Sequence, residues 1–264
     1  MIRREIPEEK LDVLAIGPHR DDVELCCGGT LVRLVDLGHR VGIADLTEGE
    51  MGTRGTAEQR AEEAACAARV MGVSYRVNLG LPDGNIQPTP EATDAIIRLI
   101  RATRPVLVLC PRPDEGRHPD HGAVGRLVPE AAFRAGFRKW ETGQPHHRPL
   151  RIINYMMHTM FVPTFVVDIS DQWERKLEAI RCYKSQLGVP GASSEEEQTY
   201  ISSPQFLDMI EARARYFGSQ IAATYGEPFF QRETVRIDDP MMLVTGSIEQ
   251  FSDQVSGWRR PTTS

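Results

Sequence analysis

Two short polar segments carry the residue types from which catalytic metal sites are built. In the first segment His19 and Asp22 are three residues apart, and in the second His118 and His121 have the same spacing. Residues three apart on an opening helical turn share one face, so each pair can point toward a common centre. The segments are Pro18-His19-Arg20-Asp21-Asp22-Val23-Glu24 and Pro111-Arg112-Pro113-Asp114-Glu115-Gly116-Arg117-His118-Pro119-Asp120-His121.

Two histidines and one carboxylate with an open fourth position form the ligand set of a catalytic zinc ion or a similar divalent metal. A second carboxylate beside that metal is suited to taking a proton from a bound water. Asp21 and Asp22 are adjacent, and their spacing alone does not decide which is the ligand and which is the base. For any one of these residues alone, a helix N-cap or a surface position is the simpler interpretation. Two such segments together favour a functional site.

Short apolar runs alternate with helical patterns through the first half of the chain. The runs are apolar on both faces, which is typical of a parallel sheet covered by helices. The alternation therefore predicts an α/β fold, a Rossmann-like three-layer sandwich with a mostly parallel sheet. Strands are predicted over 12–17, 41–46, 75–79 and 105–110, and helices over 28–38, 57–71, 93–103 and 121–135.

The two polar segments follow the first and the fourth predicted strand. In a doubly wound sheet of order 3-2-1-4 these strands are neighbours, and the direction of winding reverses between them. Ligands bind at such a switch point, outside the carboxyl ends of the strands. We therefore expect a metal site at the carboxyl ends of strands 1 and 4.

In the second half of the chain, strands and helices no longer alternate regularly. Strands are predicted over 151–158 and 165–169 and helices over 171–183 and 210–223. Neither an internal repeat nor a clear linker is visible, so we predict one domain over 1–264. Its core covers about 11–230, and 231–264 form a C-terminal extension. The polar stretch 188–204 is interpreted as a mobile flap near the site, with an inert surface loop as the alternative.

Composition and charge limit the classes of partner. A formal net charge of −6 argues against a general nucleic-acid binder, which would usually be basic. No run approaches the roughly 18 apolar residues of a membrane span, and the N-terminus lacks the apolar core of a secretory signal. An odd number of cysteines without a C-x-x-C pair gives no sign of a disulfide framework or a four-cysteine zinc site. We expect a soluble, reduced, cytoplasmic protein without nucleic-acid or membrane partners.

Motifs of other enzyme classes are missing from the sequence. The turn after strand 1 lacks G-x-G-x-x-G, which disfavours a nicotinamide enzyme, and the chain contains no phosphate-binding G-x-x-x-x-G-K-[ST]. It also contains no G-x-S-x-G nucleophile elbow. Cys26 and Cys27 could be activated by a helix dipole, but the glycines that follow them favour a packing role.

The chain resembles the LmbE-like/PIG-L family of metal-dependent, usually zinc, deacetylases of N-acetylglucosamine conjugates. The resemblance spans about 11–230 and is carried by both polar segments and several shorter motifs. Within the family the chain most resembles the bacillithiol-biosynthesis deacetylases, which act on N-acetylglucosaminyl-malate. The shorter motifs are Gly28-Gly29-Thr30, Thr53-Arg54-Gly55, Arg60, Leu81-Pro82-Asp83-Gly84, Cys182-Tyr183-Lys184-Ser185-Gln186 and Tyr225-Gly226-Glu227-Pro228-Phe229.

The resemblance implies a role for each matching position. It implies that His19, Asp22 and His121 bind the metal and that Asp21 is the general base. It implies that His118 stabilises the oxyanion and helps to protonate the leaving amine, with Asp120 as its orienting partner. Arg54 and Arg117 match substrate-binding arginines, for which loop-ordering ion pairs are the alternative. Glu24 and Asp120 are expected to support the site from behind, and Arg60 and Asp83 are given a supporting or structural role.

These observations predict a zinc-dependent N-deacetylase, with another divalent metal as an alternative. Its substrate is a small-molecule N-acetylglucosamine conjugate, and N-acetylglucosaminyl-malate is the specific expectation. Hydrolysis of another N-acyl compound and a catalytically silent carbohydrate-binding protein are the alternatives. The resemblance also favours a homo-oligomer. Arg20 stands where the family commonly has proline or a small residue, which puts the preferred charge of the substrate in doubt.

Overall fold

A seven-stranded sheet carries both polar segments. The computed structural model describes residue 2 and residues 6–187 and 197–241. The strands are β1 (Val13–Gly17), β2 (Val41–Thr47), β3 (Tyr75–Leu81), β4 (Leu107–Cys110), β5 (Arg151–Tyr155), β6 (Phe165–Asp168) and β7 (Gly226–Gln231). The helices are α1 (Asp22–Asp36), α2 (Ala57–Met71), α3 (Pro90–Thr103), α4 (Pro119–Ala135), α5 (Trp173–Arg181) and α6 (Phe206–Ser219).

The strand order is β3-β2-β1-β4-β5-β7-β6. The first five strands of this order pair in parallel, whereas β7 runs antiparallel to both β5 and β6. The predicted α/β fold and the 3-2-1-4 order are thereby confirmed. Strand β7 was not predicted, because its sequence contains both a glutamate and a proline.

The helices form a layer on each face of the sheet. Along β1, Val13 and Ala15 pack into one apolar cluster with α1, α2, α5 and α6. Leu14 and Ile16 point to the opposite face and pack with α3 and α4. Both faces of β1 are therefore buried, which explains why its sequence is continuously apolar.

Helix α1 begins at Asp22, six residues before the predicted start at Gly28, and it is broken at Cys27 (φ −141°, ψ 18°). Beyond the break, the backbone N–H groups of Gly29 and Thr30 donate to the two carboxylate oxygens of Glu227 on β7, at 3.0 and 2.7 Å. Lys176 Nζ lies 2.6 Å from Glu227 Oε1, and both side chains are 2% exposed. A buried ion pair from α5 and β7 thus holds the helix that starts at the predicted site.

The expectation of a fully reduced chain without disulfides is wrong for two cysteines. Cys66 on α2 and Cys182, just after α5, form a disulfide across a separation of 116 residues. Cys26, Cys27 and Cys110 are free and buried. Spacing gave no signal for this bond because its partners lie far apart in sequence and meet only when α2 packs against α5.

Two predicted segments lie partly outside the described residues. Of the polar stretch 188–204, the structure describes 197–204, and of the extension 231–264 it describes 231–241. In the part of the chain that the structure describes, no helix is both long and apolar enough to cross a bilayer.

Candidate functional site

The two polar segments meet at the carboxyl edge of the sheet. Strands β1 and β4 are parallel neighbours, with Val13 opposite Leu107, so the loops that follow them leave the sheet side by side. The imidazole ring centroid of His19 lies 4.7 Å from that of His118 and 5.5 Å from that of His121. The structure therefore brings together the histidines of two segments that are about a hundred residues apart in sequence.

Close packing fixes the loop after β4 against α4. At Gly125 a Cβ atom would lie 2.3 Å from the backbone of Arg112, and at Gly122 one would lie 2.8 Å from the carbonyl oxygen of Glu115. Only glycine allows this approach, which lets the loop reverse tightly into the start of α4. Glu115 also holds this loop against the segment that follows β5, because its carboxylate accepts hydrogen bonds from the backbone N–H groups of His158 and Thr159.

The two carboxylate oxygens of Asp22 face two different histidines. Its Oδ2 atom lies 3.0 Å from His19 Nδ1, and its Oδ1 atom lies 3.5 Å from His121 Nε2. One ligand atom from each of the three residues lies within 4.8 Å of the others. Ligands of a tetrahedral zinc ion at about 2.0–2.1 Å are separated from one another by roughly 3.4 Å. The three side chains therefore fit the ligand set of such an ion.

The other nitrogen of His19 faces acidic groups. His19 Nε2 lies 3.1 Å from Asp83 Oδ1 and 3.5 Å from Asp120 Oδ2. Burial lowers the pKa of His19, but the charges and hydrogen bonds of Asp22, Asp120 and Asp83 outweigh it and hold this pKa well above the usual range. A carboxylate behind a metal-binding histidine fixes the orientation of its ring.

The Asp120 carboxylate contacts His19 and the loop after β3. Its carboxylate accepts hydrogen bonds from the backbone N–H groups of Gly84 and Ile86, at 2.8 and 3.0 Å, and approaches His19. Its contact with His118 comes from its backbone, since the Asp120 N–H donates to His118 Nδ1 at 3.3 Å. The Asp120 carboxylate therefore lies behind His19, and only its backbone contacts His118. His19, His118 and Asp120 also form a second group of ligand-type atoms within 4.8 Å of one another.

Asp21 is a buried carboxylate with one free oxygen. It is 4% exposed and stands at the N-cap of α1 without a side-chain capping bond. Its Oδ1 atom lies 3.5 Å from Arg60 Nη2 on α2, and among the described residues its Oδ2 atom has no hydrogen-bond partner. Burial raises the pKa of Asp21, and the charge of Arg60 opposes that rise. An unengaged oxygen of this kind is suited to accepting a proton.

His118 is half-buried and presents an N–H group to the site. Its Nδ1 atom accepts the backbone hydrogen bond at the start of α4, so in the neutral ring the proton is on Nε2. Burial and the charges of His19 and His121 lower the pKa of His118. A neutral imidazole with a free N–H can donate a hydrogen bond to a developing oxyanion.

Glu24 belongs to a charge network beneath the start of α1. Its Oε1 atom lies 2.5 Å from Arg76 Nη1 and 2.7 Å from the Tyr183 hydroxyl, and Arg76 also contacts Asp45 at 2.8 Å. Arg76 and Tyr183 both donate to the carbonyl oxygen of Arg20. These bonds fix the backbone between His19 and Asp21.

The two predicted substrate arginines have different surroundings. Arg54 donates from Nε to the Ser185 carbonyl oxygen at 3.0 Å and from Nη1 to the Glu197 carbonyl oxygen at 3.2 Å. These two hydrogen bonds connect the loop that carries Arg54 to the segments at 185 and 197. Arg117 is exposed, and its guanidinium carbon lies 3.7 Å from the ring centroid of Tyr200.

Sequence reasoning missed His158. Its ring stacks on His121, with centroids 5.8 Å apart and planes 7° from parallel, and it also meets Tyr200 edge to face. Burial and the charges of His121 and Arg117 lower the pKa of His158 to about 4. Its position just beyond the carboxyl end of β5, the parallel neighbour of β4, was the available signal. It went unused because the predicted strand extended to 158 and so included this histidine.

Comparison with known proteins agrees with this fold and site. The sequence profile of the family described as PIG-L, GlcNAc-PI de-N-acetylase, matches residues 14–132. A diacetylchitobiose deacetylase of Thermococcus kodakarensis is 36% identical over 66% of this chain and 69% of its own. A probable N-acetyl-α-D-glucosaminyl L-malate deacetylase 2 of Bacillus cereus is 30% identical over 66% of this chain and 83% of its own.

Among solved structures, a conserved protein of Thermus thermophilus superposes with a TM-score of 0.77 at 37% identity, covering 86% of this chain and 98% of that one. The fold and the relatives together define a deacetylase of the Rossmann-like α/β class. The chain belongs to the PIG-L family of deacetylases.

Proposed function

We propose that this protein is a metal-dependent hydrolase that removes the acetyl group from an N-acetylglucosamine conjugate. The observation that carries the proposal is the free Oδ2 atom of Asp21, buried beside the group formed by His19, Asp22 and His121. A pure carbohydrate-binding protein has no use for a buried carboxylate oxygen without a partner, since such an atom costs free energy. An enzyme that must take up a proton at that point does have a use for such an oxygen.

His19, Asp22 and His121 would hold the metal, and zinc is our proposal for its identity. Such an ion, when bound, polarises the amide carbonyl and lowers the pKa of a water molecule. Asp21 takes a proton from the attacking water at its free oxygen, and the water oxygen forms a bond to the carbonyl carbon. His118 donates a hydrogen bond from Nε2 to the oxyanion of the tetrahedral intermediate. The C–N bond then breaks, the proton passes to the amine nitrogen, and acetate and a glucosamine amine leave.

For the rest of the substrate we consider two structures. N-acetylglucosaminyl-malate is favoured by the exposed guanidinium of Arg117, because an arginine fork pairs well with a carboxylate. Diacetylchitobiose is favoured because this chain is 36% identical to the diacetylchitobiose deacetylase and 30% identical to the malate deacetylase. The carboxylate of malate distinguishes the two, so Arg117→Gln should raise KM for the malate conjugate much more than KM for diacetylchitobiose.

The experiment that tests the proposed activity is acetate release combined with metal analysis. Purified protein should release acetate from N-acetylglucosaminyl-malate, diacetylchitobiose or both, and it should contain zinc in a ratio near one per chain. His121→Ala should lose zinc and activity together. Zinc at full ratio in the variant contradicts the ligand assignment, and absence of acetate release from every conjugate by the zinc-loaded protein contradicts the proposed function.

The cellular location and oligomeric state remain our predictions of a cytoplasmic homo-oligomer. The disulfide between Cys66 and Cys182 bears on the location, because structural disulfides are rare in the reducing cytoplasm of mesophiles. Alkylation of cells quenched in acid, followed by mass spectrometry of this cysteine pair, would show whether the bond forms there. Light scattering of the purified chain measures the oligomeric state.

A further inference from the structure

A pocket of about 170 Å³ adjoins the candidate site. It lies between the first turns of α1, the loop after β5 and helix α6, and Asp22 and His158 form part of its lining. Tyr200 and Arg213 also line it, and the other six lining side chains form an apolar wall. The apolar wall is formed by Leu25, Cys26, Met157, Phe206, Met209 and Ile210.

The break in α1 explains how this wall can be apolar beside the polar site. In a regular helix the Leu25 carbonyl would accept a hydrogen bond from the Gly29 N–H. Here that N–H donates to Glu227, and Arg213 on α6 donates to the Leu25 carbonyl instead, at 3.1 Å. Arg213 also donates to the Met157 carbonyl. The backbone groups freed by the break are therefore paired, and part of the charge that Arg213 brings to the lining is engaged.

The thiol of Cys26 adds to the apolar character of the wall. Burial raises its pKa to about 12, so the group is neutral and protonated near pH 7. A neutral buried cysteine behaves as a small apolar side chain. This apolar wall therefore suits a ligand group without hydroxyls or charges.

We infer that this pocket receives the acyl chain of the substrate and accommodates chains longer than acetyl, up to about four carbons. The inference rests on the proposed function, because the scissile carbonyl must lie beside Asp22 and the acyl chain is bonded directly to that carbonyl. The acyl chain is also the apolar part of an N-acylglucosamine, whereas each sugar hydroxyl needs a hydrogen-bond partner when buried.

The size of the pocket sets the length of chain that it can take. An apolar cavity of about 150 Å³ in an unrelated protein binds benzene, which has six carbon atoms. The pocket here is of similar volume, and an acetyl group brings a single methyl group into it. Propionyl and butyryl chains add one and two methylene groups, and both fit the remaining space.

The test compares N-acetyl, N-propionyl and N-butyryl forms of glucosaminyl-malate and of chitobiose by release of the free amine. The wild-type enzyme should hydrolyse the butyryl form with a kcat/KM within about tenfold of that of the acetyl form. Burial of one methylene is worth about fourfold in binding, so a pocket narrowed by Ile210→Phe should lower the butyryl-to-acetyl ratio by roughly 10–20-fold.

A second variant and a control show whether a lower butyryl-to-acetyl ratio comes from the narrowed pocket or from misfolding. Met209 lines the same pocket but is 38% exposed, so Met209→Trp adds bulk at a site with room at the surface and should also lower the ratio. Ala212 is exposed on the same helix, and Ala212→Phe adds similar bulk outside the pocket. The ratio should be unchanged in this control.

Three outcomes would overturn the inference. In the first, the wild-type enzyme hydrolyses the butyryl form more than a thousandfold slower than the acetyl form. In the second, Ile210→Phe and Met209→Trp reduce hydrolysis of the acetyl and butyryl forms equally. In the third, both variants impair the malate series at every chain length and spare the chitobiose series, which would assign the pocket to the malate. A wild-type enzyme that releases amine from none of these compounds contradicts the proposed function itself.

Discussion

The Nη2 atom of Arg60, on helix α2, lies 3.5 Å from the Oδ1 atom of Asp21, and both side chains are almost completely buried. The contact engages one carboxylate oxygen and leaves the other without a partner among the described residues. It also places a positive charge beside an acid whose pKa burial alone would raise. Arg60 therefore favours the ionised form of Asp21, which is the form that a general base needs.

Replacing each of the two neighbouring aspartates with asparagine, one at a time, separates the general base from the metal ligand. Asp21→Asn should keep its metal and lose about 10²–10⁴-fold in kcat, because the amide has nearly the same shape and is a poor base. Asp22→Asn should bind metal more weakly, because a charged ligand is lost, and excess zinc should partly restore its activity. Metal content and kcat of both variants, measured side by side, check this. Loss of metal by Asp21→Asn with retention by Asp22→Asn would mean that the roles are exchanged.

Alkylation should distinguish the three free, buried cysteines from the two in the disulfide. Burial raises the pKa of Cys26 and Cys110 to about 12, so at pH 8 only about one thiol in 10⁴ is ionised, and iodoacetamide should modify neither in the native protein. After denaturation without reductant, three cysteines should react, and after reduction all five. Mass spectrometry counts the added groups. Five modified cysteines in the unreduced, denatured protein would exclude the disulfide.

Removing the disulfide should destabilise the fold. Cys66 and Cys182 close a loop with a sequence separation of 116, so the bond restricts the unfolded chain considerably. The double variant Cys66→Ser, Cys182→Ser should lose about 2–4 kcal/mol in free energy of unfolding. Urea unfolding of the wild type and the variant measures the difference. Reductant should destabilise the wild type and leave the double variant unchanged; equal sensitivity of both would contradict the assignment.

The buried ion pair should show a strong asymmetry between single and double substitution. Lys176→Met leaves the Glu227 carboxylate without its cationic partner and should cost about 3–5 kcal/mol in free energy of unfolding. Adding Glu227→Gln removes the stranded charge while keeping an oxygen that can accept from Gly29 or Thr30, so part of the loss should return. Chemical unfolding of the single and double variants checks this. If the double variant is as unstable as the sum of two independent losses, the pair contributes no coupling.

Much of the site was predictable because local patterns and fold rules act together there. Apolar runs identified β1 and β4, and the order of a doubly wound sheet then brought His19 close to His118 and His121. The start of α1 was missed because polar residues that fill a buried site resemble an exposed loop in sequence. Strand β7 was missed because Glu227 is polar in sequence but 2% exposed in the fold, and its partners Gly29 and Lys176 are far away along the chain. Non-local partners of this kind have no local sequence signature.

The bond between Glu227 and the broken turn of α1 has a consequence for the order in which the protein becomes active. All three predicted metal ligands lie before residue 122, yet the helix that carries Asp22 is held by a side chain more than a hundred residues later. During synthesis, all three metal-binding residues leave the ribosome long before Glu227, whose side chain holds the helix, has been made. A nascent chain that ends before β7 should therefore hold its metal loosely or not at all, so that the deacetylase matures only as β7 joins the sheet.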